Sequence, residues 1–272
     1  MNIAWVLYTA LGLYLVSAFC YLGSLRAGRT GFETAGRYFL VLGFLVHLFA
    51  LVLRYFIAGY TPITNLHESL SFFALCMAGF FIFLRHAYKV ESLGALFVPV
   101  LALMLVAALA APAAIRPLPP VLRSYWLPIH TVFAFIGNAV FFSGFLVSIV
   151  YLFIERAIKK KRIRDVSGRF PSLETLDRIN YKCMSYGFPL LTIGIITGSI
   201  WAEMAWGSYW SWDPKETWSL ITWLMYAILI HNRLAIGWRG RKTAYMMIAA
   251  FVSVVVTFIG VNLFIGGLHA YI

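Results

Sequence analysis

Residues 92–111 read SLGALFVPVLALMLVAALAA, twenty positions without a charged side chain. As a helix that stretch rises about 30 Å, the thickness of the hydrocarbon core of a bilayer. Runs of the same kind recur on both sides of it, at about 3–22, 37–57, 66–85, 128–154, 183–201, 217–236 and 243–266. Inside hydrocarbon every backbone N–H and C=O needs an internal partner, so such runs must be helical. The expected fold is all-α: a polytopic membrane helical bundle of about eight transmembrane helices. No internal repeat and no separating linker is evident, so residues 1–272 read as a single integral-membrane domain.

Composition agrees. The chain is 62% hydrophobic, 17% aromatic and only 12% charged, against about 25% charged in an ordinary soluble domain. Its mean hydropathy is +0.84. Soluble enzymes, disordered chains and disulfide-stapled scaffolds are excluded. Cys20, Cys76 and Cys183 all lie in or beside apolar runs with no C-x-x-C pair, which removes zinc-ribbon and thiol-oxidoreductase readings. The first run lacks a basic n-region and a small-residue cleavage site, so it is expected to be retained as a span.

The charges set an orientation. Loops at 23–37, 85–91, 155–182 and 233–242 hold eighteen of the 22 Lys and Arg residues; Arg54, Arg116, Arg123 and Lys215 fall on the other side. By the positive-inside rule, both termini are expected to be extracytoplasmic and the basic loops cytoplasmic. The net charge of +12 therefore reflects membrane topology and not nucleic-acid binding. The longest polar stretch, 155–182, has room for a short amphipathic helix around Ser172–Arg178.

Six of the nine tryptophans fall within residues 201–223, WAEMAWGSYWSWDPKETWSLITW. An interfacial aromatic belt accounts for two or three of them. It does not explain why Trp206, Trp210, Trp212 and Trp218 surround Asp213-Pro214-Lys215-Glu216. The other reading is a shelf for a large flat ligand, since indole faces stack on an aromatic macrocycle. Gly207 would let the backbone approach it closely. Asp213 and Glu216, three apart with Pro214 between them, also fit a capping box that starts the seventh span.

An iron-containing macrocycle needs axial ligands, and six histidines are available. His130, in SYWLPIHTVF, and His269, in FIGGLHAY, are expected at the same membrane face as the tryptophans. Two histidines flanking an aromatic shelf are the pattern of bis-imidazole haem ligation. His231, in YAILIHNR, lies well along the seventh span, where an ionisable residue is a functional hypothesis. The alternative there is an imidazole that reaches the interface beside Arg233. His47 and His67 read as helix-packing hydrogen bonders, and His86, next to Arg85, as solvated.

The segment WGSYWSWDPKETWSLITWLMYAILIHNR resembles the tryptophan-rich WWD signature of haem-handling cytochrome c assembly proteins. With PITNLHESLSFF, the isolated His130 and the terminal GVNLFIGGLHAY, the chain is similar over essentially its whole length to the CcsA (ResC) branch of System II. The CcmC proteins of System I, of similar size, are the nearer competitor; CcmF proteins are far longer. The resemblance implies that His130 and His269 are the two external haem ligands and that Trp206, Gly207, Trp210, Trp212, Asp213, Trp218 and Trp223 build the platform. It further implies that His231 is a transmembrane histidine receiving haem b from the cytoplasmic side, and that a CcsB (ResB) membrane protein is the partner, here unfused. His67 departs from the family, where NLYESL is common.

On this resemblance the chain is expected to sit in the cytoplasmic membrane, or the thylakoid membrane of a plastid, as part of a cytochrome c synthase (haem lyase) complex. Its substrates would be haem b and the C-x-x-C-H segment of apocytochrome c. A haem exporter or chaperone without a catalytic role, CcmC-like, is the alternative. A transporter of some other solute is a third reading; only Glu68 is an acidic residue close to a span, which argues against a cation pump.

Overall fold

The computed structural model describes residues 3–27, 30–162 and 170–260. Among them there is no strand, and eight helices are long and apolar enough to cross a membrane. They are α1 (Ile3–Ala27), α2 (Thr30–Ala58), α3 (Leu66–Tyr88), α4 (Gly94–Ala110), α5 (Trp126–Lys159), α6 (Leu173–Trp206), α7 (Pro214–His231) and α8 (Arg241–Val255). The protein is a multi-span helical membrane protein. Each expected span overlaps one of these helices; the end of the last, 261–266, lies outside the described residues.

The boundaries differ where no breaker stops a helix. Helix α2 begins at Thr30, ahead of the apolar run, and α5 continues to Lys159. The segment Ser172–Arg178 is not a separate amphipathic helix. It forms the first turns of α6, whose start is capped by Ser172 Oγ accepting from Thr175 N at 3.2 Å. No Gly or Pro lies between Arg178 and Cys183, so the backbone has no reason to stop. Short π-helical turns at Asn232–Ile236 and Val256–Gly260 follow α7 and α8.

The chain divides into two compact units: residues 1–115 with 153–175, and residues 116–152 with 176–272. In the first, α1 packs on α2 and α4 through tyrosines seated at glycines. A Cβ on Gly43 would stand 2.9 Å from the Tyr14 ring, and one on Gly94 would stand 2.6 Å from Tyr21. Small residues of this kind let helices approach closely without a hydrophobic driving force between them.

Polar side chains inside this unit are paired. His47 is fully buried, with Nε2 2.8 Å from Ser71 Oγ and Nδ1 3.3 Å from the Tyr14 hydroxyl. His67 donates from Nδ1 to the Ala108 carbonyl at 2.7 Å. Arg54 lies within α2, not in a loop. Its Nε donates to Glu68 Oε1 at 2.7 Å and its Nη2 to Ala113 O at 3.0 Å. Glu68 Oε2 accepts from Thr64 N and Oγ1, both at 2.9 Å. Asn65 Oδ1 accepts from Glu68 N at 2.9 Å and caps α3. His86 is exposed.

Candidate functional site

The second unit contains a partly open cavity of about 180 Å³, walled by α5, α6, the start of α7 and the end of α8. It is smaller than the about 300–1,000 Å³ of a typical small-molecule pocket. It can take an edge of a large flat ring, with the rest lying at the open side.

His130 stands in the α5 wall, half-buried. Its Nδ1 is 2.6 Å from the Gly194 carbonyl of α6. A carbonyl only accepts, so Nδ1 is the protonated nitrogen and in the neutral ring Nε2 carries the lone pair. Metal-binding histidines are commonly fixed by such a bond, which holds the tautomer and the ring plane. The close helix approach depends on glycine. A Cβ on Gly198 would fall 2.6 Å from His130 Nδ1, and one on Gly194 would fall 3.2 Å from Ala134 N. Behind the imidazole, nearly parallel to it at 12° with centroids 6.4 Å apart, lies the buried Trp201 ring. Trp201 is held by its Nε1 donating to Val121 O at 3.3 Å.

The tryptophans do not share one face. Trp201 and Trp210 line the cavity. Trp206 packs edge-on against Trp201 at 4.8 Å, and Trp210 meets Trp212 edge-on at 5.8 Å. Trp212 is 69% exposed and has a left-handed backbone, φ 59°. Trp218 is half-buried in α7. Trp223 donates from Nε1 to Thr192 Oγ1 at 2.9 Å, a bond between α7 and α6. Trp201 was not singled out as a site residue in the sequence. Its position directly after an apolar run marks it as a span-end tryptophan, and only the fold brings it behind His130.

Between α6 and α7 the chain turns at Gly207, φ 75°, a conformation that costs glycine little. Asp213 then starts α7. Its Oδ1 accepts from Lys215 N at 3.0 Å, while Glu216 Oε2 accepts from Asp213 N at 3.2 Å and Ser211 N at 2.8 Å. That is the capping box its spacing predicts, with Pro214 at the first position. Lys215 and Glu216 both line the cavity, whose surface is otherwise mostly apolar.

His231 ends α7 and is exposed on the surface of the chain. It is not among the cavity residues. His269 lies outside the described residues. Among the described residues no group of three His, Cys, Asp or Glu side chains could hold a metal ion by itself. The residues present fit a haem edge: an oriented imidazole with its Nε2 lone pair, aromatic walls and a mostly apolar recess.

Eight spans and a Trp-walled cavity with one oriented imidazole define a multi-span membrane protein with a candidate macrocycle site. The family described as "Cytochrome C assembly protein" matches residues 4–269, and the chain belongs to it. It is 38% identical over 237 residues to the "Cytochrome c biogenesis protein CcsA" of Guillardia theta, covering 80% of this chain and 79% of that one. It is 38% identical over 254 residues to the protein of the same description from Mesostigma viride, covering 84% and 82%. The corresponding figure for Synechocystis sp. is 36% over 273 residues, covering 80% and 82%. Among solved structures, the "Cytochrome c Heme Lyase CcmF" superposes with a TM-score of 0.69 at 17% identity, over 95% of this chain and 47% of that one. That likeness is one of fold.

Proposed function

We propose that this chain binds haem b as a substrate. With a CcsB (ResB)-type membrane partner it moves the haem across the membrane and presents it for thioether attachment to the C-x-x-C-H segment of apocytochrome c. The observation that carries this reading is the His130 imidazole, its tautomer set by Gly194, beside Trp201 and Trp210 in one cavity. Membership of the cytochrome c assembly family supports it.

In this reading His130 and His269 would hold the haem iron. Trp210 supplies an aromatic wall, Trp206 braces Trp201, Trp212 and Trp218 add to the platform, and Trp223 seats α7 against α6. Gly207 and Asp213 set the turn into α7. In the bond-forming step a thiol adds across a vinyl group. Sulfur bonds to one vinyl carbon and the proton goes to the other, so no oxidant or reductant is consumed. The thiols come from apocytochrome, because Cys20 and Cys183 are buried and Cys76 lies within α3. The chain's contribution is positioning, a recognised source of rate. His231 receives haem from the cytoplasmic side.

The whole chain acts as one membrane domain with both termini extracytoplasmic. Reporter fusions after Lys161 should read cytoplasmic, and those after Ser208 or at Ile272 extracytoplasmic; a reversed pattern overturns the orientation. The full chain purified with its partner should carry haem with a low-spin bis-imidazole spectrum and should label an apocytochrome peptide covalently. Haem binding without any thioether product would leave an exporter or chaperone.

A further inference from the structure

The connection between α7 and α8 changes character within a few residues. Leu234 and Ile236, in the π-helical turn Asn232–Ile236, are 66% and 62% exposed. Trp238 follows, half-buried, and then Arg239, Arg241 and Lys242, all exposed. The segments Pro214–Ile236 and Arg241–Phe258 on either side are long and apolar enough to cross a membrane, so the residues between them lie at a membrane surface. Exposed aliphatic side chains, then a tryptophan, then cations is the order met on passing from acyl chains through the interface to the headgroups.

The shape of this loop is fixed from inside its own unit. Arg233 donates from Nη1 to Asp177 Oδ1 at 2.8 Å and from Nη2 to Asp177 Oδ2 at 2.7 Å. Its Nη1 also donates to Trp238 O at 3.1 Å, and Trp238 N donates to Asn232 O at 3.1 Å. Gly240 N donates to Asp177 Oδ1 at 2.6 Å. Gly237 and Gly240 take φ of 78° and 62°, and a Cβ on Gly240 would stand 2.6 Å from the Tyr151 hydroxyl. The Asp177 carboxylate is thus engaged with Arg233 and with the backbone.

The outer cations are placed by aromatic rings. Lys242 Nζ lies over the Trp238 ring, 5.5 Å from its centroid. Arg241 Cζ lies over Tyr245 at 5.4 Å, and its Nη2 donates to the Tyr245 hydroxyl at 3.2 Å. Such contacts hold a cation in position without neutralising it. Arg241 and Lys242 also stand in the first turn of α8, which has no acidic residue and no side-chain cap. Cations there are opposed by the helix macrodipole, so an anion beside them relieves a cost the chain otherwise carries.

We propose that this loop is a binding site for an anionic phospholipid. Arg239, Arg241 and Lys242 take the headgroup phosphate, Trp238 sits at the interface, and Leu234 and Ile236 lie against the acyl chains. The exposed aliphatic pair beside the cations favours a lipid over a soluble anion. A loop already locked through Asp177 loses little freedom on binding, unlike a flexible basic tail.

The test uses the full chain in a neutral detergent, titrated with phosphatidylglycerol, phosphatidylcholine or inorganic phosphate. Native mass spectrometry counts bound lipid, and thermal unfolding is followed beside it. Wild type should retain phosphatidylglycerol over phosphatidylcholine and gain thermal stability from it, with no response to inorganic phosphate. The triple variant Arg239→Gln/Arg241→Gln/Lys242→Gln should weaken that retention by about fivefold for each charge removed. Lys160→Gln/Lys161→Gln/Arg162→Gln removes the same charge from exposed positions at the end of α5 and should keep wild-type retention. Equal loss in the two triple variants overturns the site in favour of diffuse charge. Equal retention of the two lipids by wild type overturns it too, as does a stability gain reproduced by inorganic phosphate. Should the loop variant not yield folded protein, Arg239→Gln decides: retention about fivefold weaker supports the site, and retention equal to wild type overturns it.

Discussion

The two units place their histidines differently. In the first, His47 spends both ring nitrogens on Tyr14 and Ser71, and His67 spends Nδ1 on the Ala108 carbonyl. Arg54 and Glu68 close on each other and on the loop that leads into α3. These contacts join helices. In the second, His130 uses one nitrogen on Gly194 and turns its ring toward a cavity, and His231 stands on an open helix face. His47 and His67 lie among packed helices, whereas His130 lines a cavity.

Breaking the first unit should cost the most free energy. Arg54→Ala or Glu68→Ala leaves a buried charge without its partner and should destabilise the protein by about 3–5 kcal/mol. Thermal unfolding in detergent measures it. Replacing both by apolar residues of similar size should recover much of the loss, since the charge pair is expensive to bury. Equal losses in the single and double variants would mean that the pair acts through something besides charge.

In the second unit the effect should appear in haem handling and not in stability. His130→Ala, and His269→Ala beside it, should lower covalent cytochrome c formation by about 100-fold or more, at or beyond the upper end of what outer-shell partners cost. Protein levels in the membrane should be retained. Added imidazole can fill a vacant axial position and should partly restore assembly. His47→Ala is the contrast: it should cost about 1–2 kcal/mol of helix packing, respond to no imidazole and leave haem per folded protein unchanged. Normal assembly in both outer-histidine variants removes the proposed site.

A finer test leaves every ligand in place. In Gly198→Ala the added methyl would lie 2.6 Å from His130 Nδ1, so the ring must shift off the Gly194 carbonyl. Haem affinity should fall by about tenfold, with expression close to wild type. Unchanged affinity would mean that the ring position does not matter to binding.

The number of spans, their helical nature and the start of α7 were legible in the sequence because each depends on residues close together in the chain. Apolar runs of about twenty residues meet the bilayer condition by themselves. The Asp213-Pro214-Lys215-Glu216 spacing caps a helix wherever it is placed. Of the residues singled out in the sequence, His130 and Trp210 line the cavity, and His231 does not. Three matters were decided only by the fold. Arg54 reads as one of the few basic residues on the sparsely charged side, yet it is buried with Glu68, fourteen residues on. The five tryptophans from Trp206 to Trp223 read as one platform, yet Trp210 lines the cavity beside Trp201, Trp212 is exposed and Trp223 bonds α6. His47 and His130 are both histidines on helices, and what separates them is the partner that meets each ring: Ser71 and Tyr14 in one case, Gly194 in the other. Such partners come from other helices, 64 residues away for His130. Helical periodicity tells which side a residue faces; which neighbour stands there is fixed by how the helices pack.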